Sequence, residues 1–187
     1  MVSGEVTVAL PSGTVTFLFT DIEGSTRRWE ADPGAMRTML AAHDAVLRAA
    51  IEAHGGQVFK HTGDGMCAAF DRAQAAVDAA IDAQRRLALP VRMGLTSGEV
   101  EAQGGDYFGP TLNLAARVMS AGHGGQILVA ASTIELVDAQ GAKLGENDDW
   151  RQARNAVAIE GSGAALRCQR EEGLHDACER PALALVA

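Results

Sequence analysis

Positive charge is in deficit. Sixteen Lys and Arg against 24 Asp and Glu leave a formal net charge of −8. That excludes the broad basic field that nucleic acid would need, so no nucleic-acid partner is expected. A chain of this charge can bind a polyanion only through metal ions and a few well-placed basic residues. Long hydrophobic runs are missing too. No charged stretch followed by an apolar segment opens the chain, and no run is long enough to span a bilayer. A cytoplasmic location without membrane insertion is therefore expected. Cysteine is sparse: Cys67, Cys168 and Cys178 show no metal-ligand spacing, and free thiols are expected. The five histidines are scattered; His43 and His54 fall on a helix face and read as interface or surface residues, not ligands. What is present suffices for a core. An apolar content of 47% in 187 residues fits one domain of ordinary size and excludes disorder.

The chain is organised around residues 14–26, Thr-Val-Thr-Phe-Leu-Phe-Thr-Asp-Ile-Glu-Gly-Ser-Thr. The β-branched and aromatic run predicts a buried strand that stops at Asp21. Glu23, Gly24, Ser25 and Thr26 read as a tight turn into a helix. A carboxylate at a strand end, beside the free amides of a helix N-terminus, is a place to hold a metal-bound polyphosphate.

Residues 1–12 read as a lead-in. A long helix is predicted from Pro33-Gly34 to Gly55-Gly56, then strands over Gln57 to His61 and Met66 to Phe70 joined at Gly63-Asp64-Gly65. A second helix covers Ala73 to Leu87, and a strand Val91 to Ser97. A Gly-rich connection runs from Gly98 to Gly109. A helix with Pro110 in its first turn spans Thr111 to Ser120. A strand at Gln126 to Ala130 and a short helix at Ser132 to Val137 follow. The order β-α-β-β-α-β, then α-β-α, predicts an α+β fold. Its core is a ferredoxin-like βαββαβ unit, a mixed sheet with helices packed on one face. From about Glu146 the periodicity fades, and 147–187 is an atypical C-terminal tail to which no structure is assigned.

Six polar residues stand where chemistry is expected. In a ferredoxin-like sheet the end of the first strand and the tip of the central hairpin are neighbours. Asp21 and Asp64 can then share a pair of divalent cations roughly 3.5–4 Å apart, the arrangement used for in-line displacement at phosphorus. Lys60 and Asp106 offer a donor and an acceptor. Adenine presents an acceptor at N1 and a donor at its 6-amino group; guanine presents the reverse. Asn113 and Arg117 are four apart on one helix, hence on one face. A permanently charged Arg suits building phosphoryl charge, and an Asn can orient a sugar oxygen. Each also has an ordinary reading taken alone: a turn Asp, surface charges, the polar face of an amphipathic helix.

Four stretches carry a resemblance: Phe-Thr-Asp-Ile-Glu-Gly-Ser-Thr (19–26), Lys-His-Thr-Gly-Asp-Gly (60–65), Arg-Met-Gly-Leu-Thr-Ser-Gly (92–98) and Asp-Tyr-Phe-Gly-Pro-Thr-Leu-Asn-Leu-Ala-Ala-Arg (106–117). In this order and spacing the chain resembles the catalytic domain of bacterial class III adenylate cyclases, over residues 13–146. The resemblance implies conversion of ATP to 3′,5′-cyclic AMP and pyrophosphate with two Mg²⁺ or Mn²⁺ ions per site. It assigns Asp21, Asp64 and the Ile22 carbonyl to the metals, and the amides of Gly24, Ser25 and Thr26 to the phosphates. It assigns Lys60 and Asp106 to adenine, and Asn113 and Arg117 to the transition state. It implies a head-to-tail homodimer, one protomer supplying the metal acids and its partner the base-reading pair and the Asn/Arg pair. A non-catalytic nucleotide-binding or regulatory domain of the same family is the alternative, and the Lys/Asp pair disfavours guanylate cyclase. The C-terminal end departs from the resemblance. Leu144-Gly145-Glu146 runs into Asn-Asp-Asp-Trp (147–150) instead of a basic strand, leaving Arg151 and Arg154 as stand-ins for the triphosphate ligand.

Overall fold

The computed structural model of the chain describes residues 10–139 and 182–186. The readings that concern Leu144 to Trp150, Arg151, Arg154, Cys168 and Cys178 lie outside the described residues.

The apolar run of the opening strand forms β1 (Gly13–Ile22), whose alternating side chains divide between two cores. Leu18 and Ile22 point to one face of the sheet, Val15 and Phe17 to the other. β1 pairs antiparallel along its whole length with β4 (Val91–Val100), and on its other edge with β3 (Met66–Phe70). Beyond β3 lies β2 (Gln57–His61), also antiparallel. Beyond β4, β7 (Gln126–Ala130) and β8 (Ala182–Val186) both run parallel. The order β2-β3-β1-β4-β7-β8 makes a mixed six-stranded sheet, and its first four strands with their helices are the expected ferredoxin-like unit.

Helix α1 (Ser25–Ala31) follows β1 directly. Asp32 then breaks the helix in an extended conformation and restarts it: its Oδ1 accepts from the amides of Gly34 and Ala35 at 2.9 Å each. With Pro33 at the first position, this cap launches α2 (Pro33–Ala53). Helices α2, α3 (Ala73–Arg86) and α5 (Ala131–Ala139) share the Leu18 face, where Met36, Leu47, Ile51, Val77 and Val137 close one core. Each such side chain contributes about 1.5–3 kcal/mol on burial. Buried Ala73, Ala76, Ala79, Ala80 and Ala83 let α3 approach its neighbours closely. His43 lies on the inner face of α2 and is only 3% exposed, so it is a core histidine, not a surface one.

Helices α2 and α3 of that unit share one face, as expected. Three features beyond the sequence reading matter for the site. First, helix α4 (Pro110–Ala121), which follows the unit, lies on the other side, with Ala115 and Leu112 against the Val15–Phe17 core. The reason is a pair of notches in β4: a Cβ on Gly94 would stand 2.5 Å from the backbone N of Met119, and one on Gly98 2.8 Å from Thr111 Oγ1. Second, the segment 98–109 is not a plain connection. β4 continues to Val100 because Gly13 of β1 is long enough to pair with it. A hairpin of β5 (Ala102–Gln103) and β6 (Asp106–Tyr107) follows, turning at Gly104 and Gly105, whose φ values of 63° and 82° suit glycine. Third, the apolar stretch Ala182–Val186, given no structure from the sequence, adds the edge strand β8. No helix among the described residues is long and apolar enough to cross a membrane.

Candidate active site

Asp21 sits near the end of β1 on the α4 face, directly across from Arg92 of β4 in the strand register. Arg92 Nη2 lies 2.6 Å and Nε 2.7 Å from Asp21 Oδ2, so the carboxylate carries a close guanidinium. The neighbouring strand end is fastened by Thr20. Its hydroxyl accepts the Met66 amide at 2.9 Å and donates to the Met66 carbonyl at 3.3 Å. Thr62 N–H closes the hairpin turn onto the Gly65 carbonyl at 2.9 Å. Gly65 lies so tightly on β1 that a Cβ there would be 2.0 Å from the Thr20 carbonyl oxygen. Asp64 and Asp21 each adjoin one side of that contact. The two acids expected at adjacent strand ends are thus brought to one corner of the sheet.

The other expected pair is joined directly: Lys60 Nζ donates to Asp106 Oδ2 at 3.0 Å. A β-bulge makes this possible. Val58 faces Ala68 and Lys60 faces Cys67, so Phe59 is an extra residue. Without it the pleat would turn Lys60 toward α2. With it Phe59 and Lys60 both face the α4 side, while His61 faces α2 and bonds Asp44 Oδ2 at 3.1 Å. Beneath the pair lies an aromatic floor. Tyr107 meets Phe17 and Phe59 edge-on at 4.9 and 5.0 Å between centroids, and Phe19 lies 6.3 Å from Phe59. The Tyr107 backbone N–H donates to Asp106 Oδ1 at 2.8 Å, and its hydroxyl to the Pro11 carbonyl at 2.5 Å. The Lys60 and Tyr107 hydrogen bonds hold the Asp106 carboxyl below its usual range. Burial pushes the Tyr107 hydroxyl up to about 12 and the Cys67 thiol up to about 11.

Gly24, with a φ of 69°, turns the chain between Ile22 and α1, and Ser25 and Thr26 begin the helix with amides that have no acceptor inside it. Glu23 pins this turn, its N–H donating to the Pro90 carbonyl at 2.9 Å and its Oε2 accepting from the Gly124 amide at 3.1 Å. Asn113 and Arg117 are exposed on α4, whose buried side carries Ala115 and Val118. Arg117 borders an open hollow of about 380 Å³ with Ala116, Ser120 and Ala121. Among the described residues neither Asn113 nor Arg117 hydrogen-bonds or ion-pairs with Asp21, Asp64, Lys60 or Asp106. The structure therefore joins Asp21 to Asp64's hairpin and Lys60 to Asp106, and leaves the Asn/Arg pair separate.

Sequence reasoning missed Arg92, which stood inside one of the four stretches without a role. Its signal was the strand register, since Asp21 and Arg92 are cross-strand neighbours. It missed Tyr107 for want of the hairpin. The donor set suits a hard divalent cation: two carboxylates and the Ile22 carbonyl, all oxygen, at a corner closed by the Gly65–Thr20 contact. Among the described residues no group of three or more His, Cys, Asp or Glu side chains could hold a metal. An ion of the Mg²⁺ type does not require one, since it keeps waters and takes phosphate oxygens.

The family model described as the adenylate and guanylate cyclase catalytic domain matches residues 7–89 and 74–166. An uncharacterised protein of Mycobacterium tuberculosis is 43% identical over 131 residues, covering 68% of this chain and 46% of that protein. The chain thus spans about half the length of this curated relative. Among solved structures, an adenylate cyclase of Trypanosoma brucei in its monomeric state matches with a TM-score of 0.63 at 27% identity, over 69% of this chain and 78% of that one. The adenylyl cyclase CyaB of P. aeruginosa matches with a TM-score of 0.61 at 26% identity, over 71% and 84%.

Proposed function

From the premise that this chain belongs to the adenylate and guanylate cyclase catalytic domain family, we propose that it is an adenylate cyclase acting as a head-to-tail homodimer. The ribose 3′-hydroxyl of ATP gives up its proton to solvent as its oxygen attacks the α-phosphorus, the bond from that phosphorus to the pyrophosphate oxygen breaks, and 3′,5′-cyclic AMP and pyrophosphate leave. The observation that carries the choice of base is the Lys60–Asp106 pair. A donor and an acceptor 3.0 Å apart match the adjacent N1 and 6-amino group of adenine and mismatch guanine on both atoms.

Asp21, Asp64 and the Ile22 carbonyl would hold two Mg²⁺ or Mn²⁺ ions, which supply Lewis acidity toward the phosphates and the ribose hydroxyl. The amides of Gly24, Ser25 and Thr26 face the phosphates, and Arg92 brings a permanent positive charge to the same corner. Asn113 orients the ribose, and Arg117 offsets charge building on the α-phosphate. The separation of Asn113 and Arg117 from the acids within one chain supports their acting on a partner's nucleotide. Two copies would carry two complete sites.

The test is turnover of ATP with Mn²⁺ by purified protein, and its recovery in mixtures. Asp21→Ala and Arg117→Ala each abolish product, and mixing them restores it because one site of the heterodimer is intact. Folded, dimerising variants that stay silent when mixed rule out shared sites. ATP binding without product marks a regulatory domain instead.

A further inference from the structure

We propose that Tyr107 is a positioning residue for base selection, tying the Lys60–Asp106 pair to the N-terminal lead-in through its hydroxyl. This rests on the base-reading role given to that pair above.

The Asp106 carboxylate has little freedom. Oδ1 accepts the Tyr107 backbone amide at 2.8 Å and Oδ2 accepts Lys60 Nζ at 3.0 Å, so both oxygens are committed and the plane of the group is set. Where that plane sits depends on Tyr107. Its ring is 1% exposed and wedged edge-on between Phe17 and Phe59, and Phe59 immediately precedes Lys60. The residues beside each member of the pair therefore stack on one another. Edge-on ring packing alone tolerates sliding, because it is spread over many weak contacts. The phenol oxygen removes that freedom by reaching the Pro11 carbonyl at 2.5 Å.

Both ends of this bond are stiff. Pro11 is buried and its φ is fixed by its ring. Leu10 before it packs against the same aromatic cluster. With its hydroxyl pushed up to about 12 by burial, Tyr107 remains a donor at any working pH. The chain has one tyrosine and five phenylalanines; the ring carrying a hydroxyl is the one beside Asp106. Discrimination between adenine and guanine requires two contacts at bonding distance together, so a loose carboxylate loses discrimination before it loses binding.

The test uses the full chain. Tyr107→Phe keeps the ring and deletes the bond. The ratio of kcat/KM for ATP to that for GTP is expected to fall about tenfold, the worth of one buried hydrogen bond, through a raised KM for ATP with kcat retained. Pro11→Gly loosens the acceptor and should shift the ratio the same way, adding little on top of Tyr107→Phe. Amide hydrogen exchange across residues 102–107 should quicken in both. A merely structural ring would depress both nucleotides equally and leave the ratio alone; an unchanged ratio in folded Tyr107→Phe overturns the proposal. If the wild-type protein shows no preference for ATP, the base-reading role fails by itself. Exchange then decides the tie: quickened exchange at 102–107 supports it, and unchanged exchange overturns it.

Discussion

Arg92 and Asp21 face each other across β4 and β1, with Nη2 2.6 Å from Oδ2. Residues in such contact belong to the same half of any composite site. This sorts the variants into two complementation groups. Arg92→Ala should lower ATP turnover by about a hundredfold or more, in line with loss of a charge stabiliser. Mixed with Asp21→Ala it should stay inactive. Mixed with Arg117→Ala it should recover about a quarter of wild-type activity, since half of random dimers are mixed and each has one good site. Recovery in the Arg92/Asp21 mixture would break the assignment.

Base choice should follow the sign of the hydrogen bonds at Lys60 and Asp106. Lys60→Glu with Asp106→Cys replaces donor and acceptor by groups suited to guanine. The ratio of kcat/KM values should move toward GTP by about two orders of magnitude or more. Competition assays with both nucleotides read this directly, and an unchanged preference for ATP would refute the base-reading role.

Gly65 and Gly63 make a paired test of the metal corner. Gly63 has a φ of 84° and open space around its missing side chain, so Gly63→Ala should cost about 1 kcal/mol of backbone strain and little activity. Gly65→Ala drives a methyl to 2.0 Å from the Thr20 carbonyl. It should cost about 2–3 kcal/mol in urea unfolding. Because it separates Asp64's turn from Asp21, activity should fall further than stability alone accounts for.

The titration behaviour has a definite sign on each side of neutrality. Cys67 and Tyr107 have folded pKa values raised to about 11 and about 12 from 9.0 and 10.0. The folded state then holds its protons longer than the unfolded chain. Their contribution to stability is full below the unfolded values and is lost as pH rises through the folded ones. Unfolding midpoints should therefore drop between about pH 9 and 12, and less steeply in Cys67→Ala. The Asp106 carboxyl is lowered, so its contribution is present above the ordinary carboxylate value and lost as pH falls through the folded one. Preference for ATP over GTP should thus survive acidification to about pH 5.

Much of this was legible beforehand, because apolar alternation and helical periodicity are local. The strands Gln57–His61, Met66–Phe70 and Gln126–Ala130 fall where the pattern put them. So does the start of α2, fixed by Asp32 and Pro33. What escaped depends on partners distant in sequence. Gly98 ends the strand read from the sequence and Gly94 passes without a role inside it, until α4 is seen lying in the notches they leave. Val100 joins β4 only because β1 reaches it at Gly13. Strand β8 needs β7 as its template. At the site, Asp21 and Asp64 could be named as candidates from their strand-end positions and the Lys/Asp pair from the resemblance, whereas Arg92 required the register of two strand residues 71 apart.

Phe59 has a consequence for how such a site can change. A single insertion or deletion in β2 would rotate Lys60 through half a turn, from the α4 side to the α2 side, without altering one chemical group. Two such events would bring it back. Which face of the sheet the ammonium meets is accordingly governed by parity: whether an even or an odd number of residues separates it from the last undistorted rung.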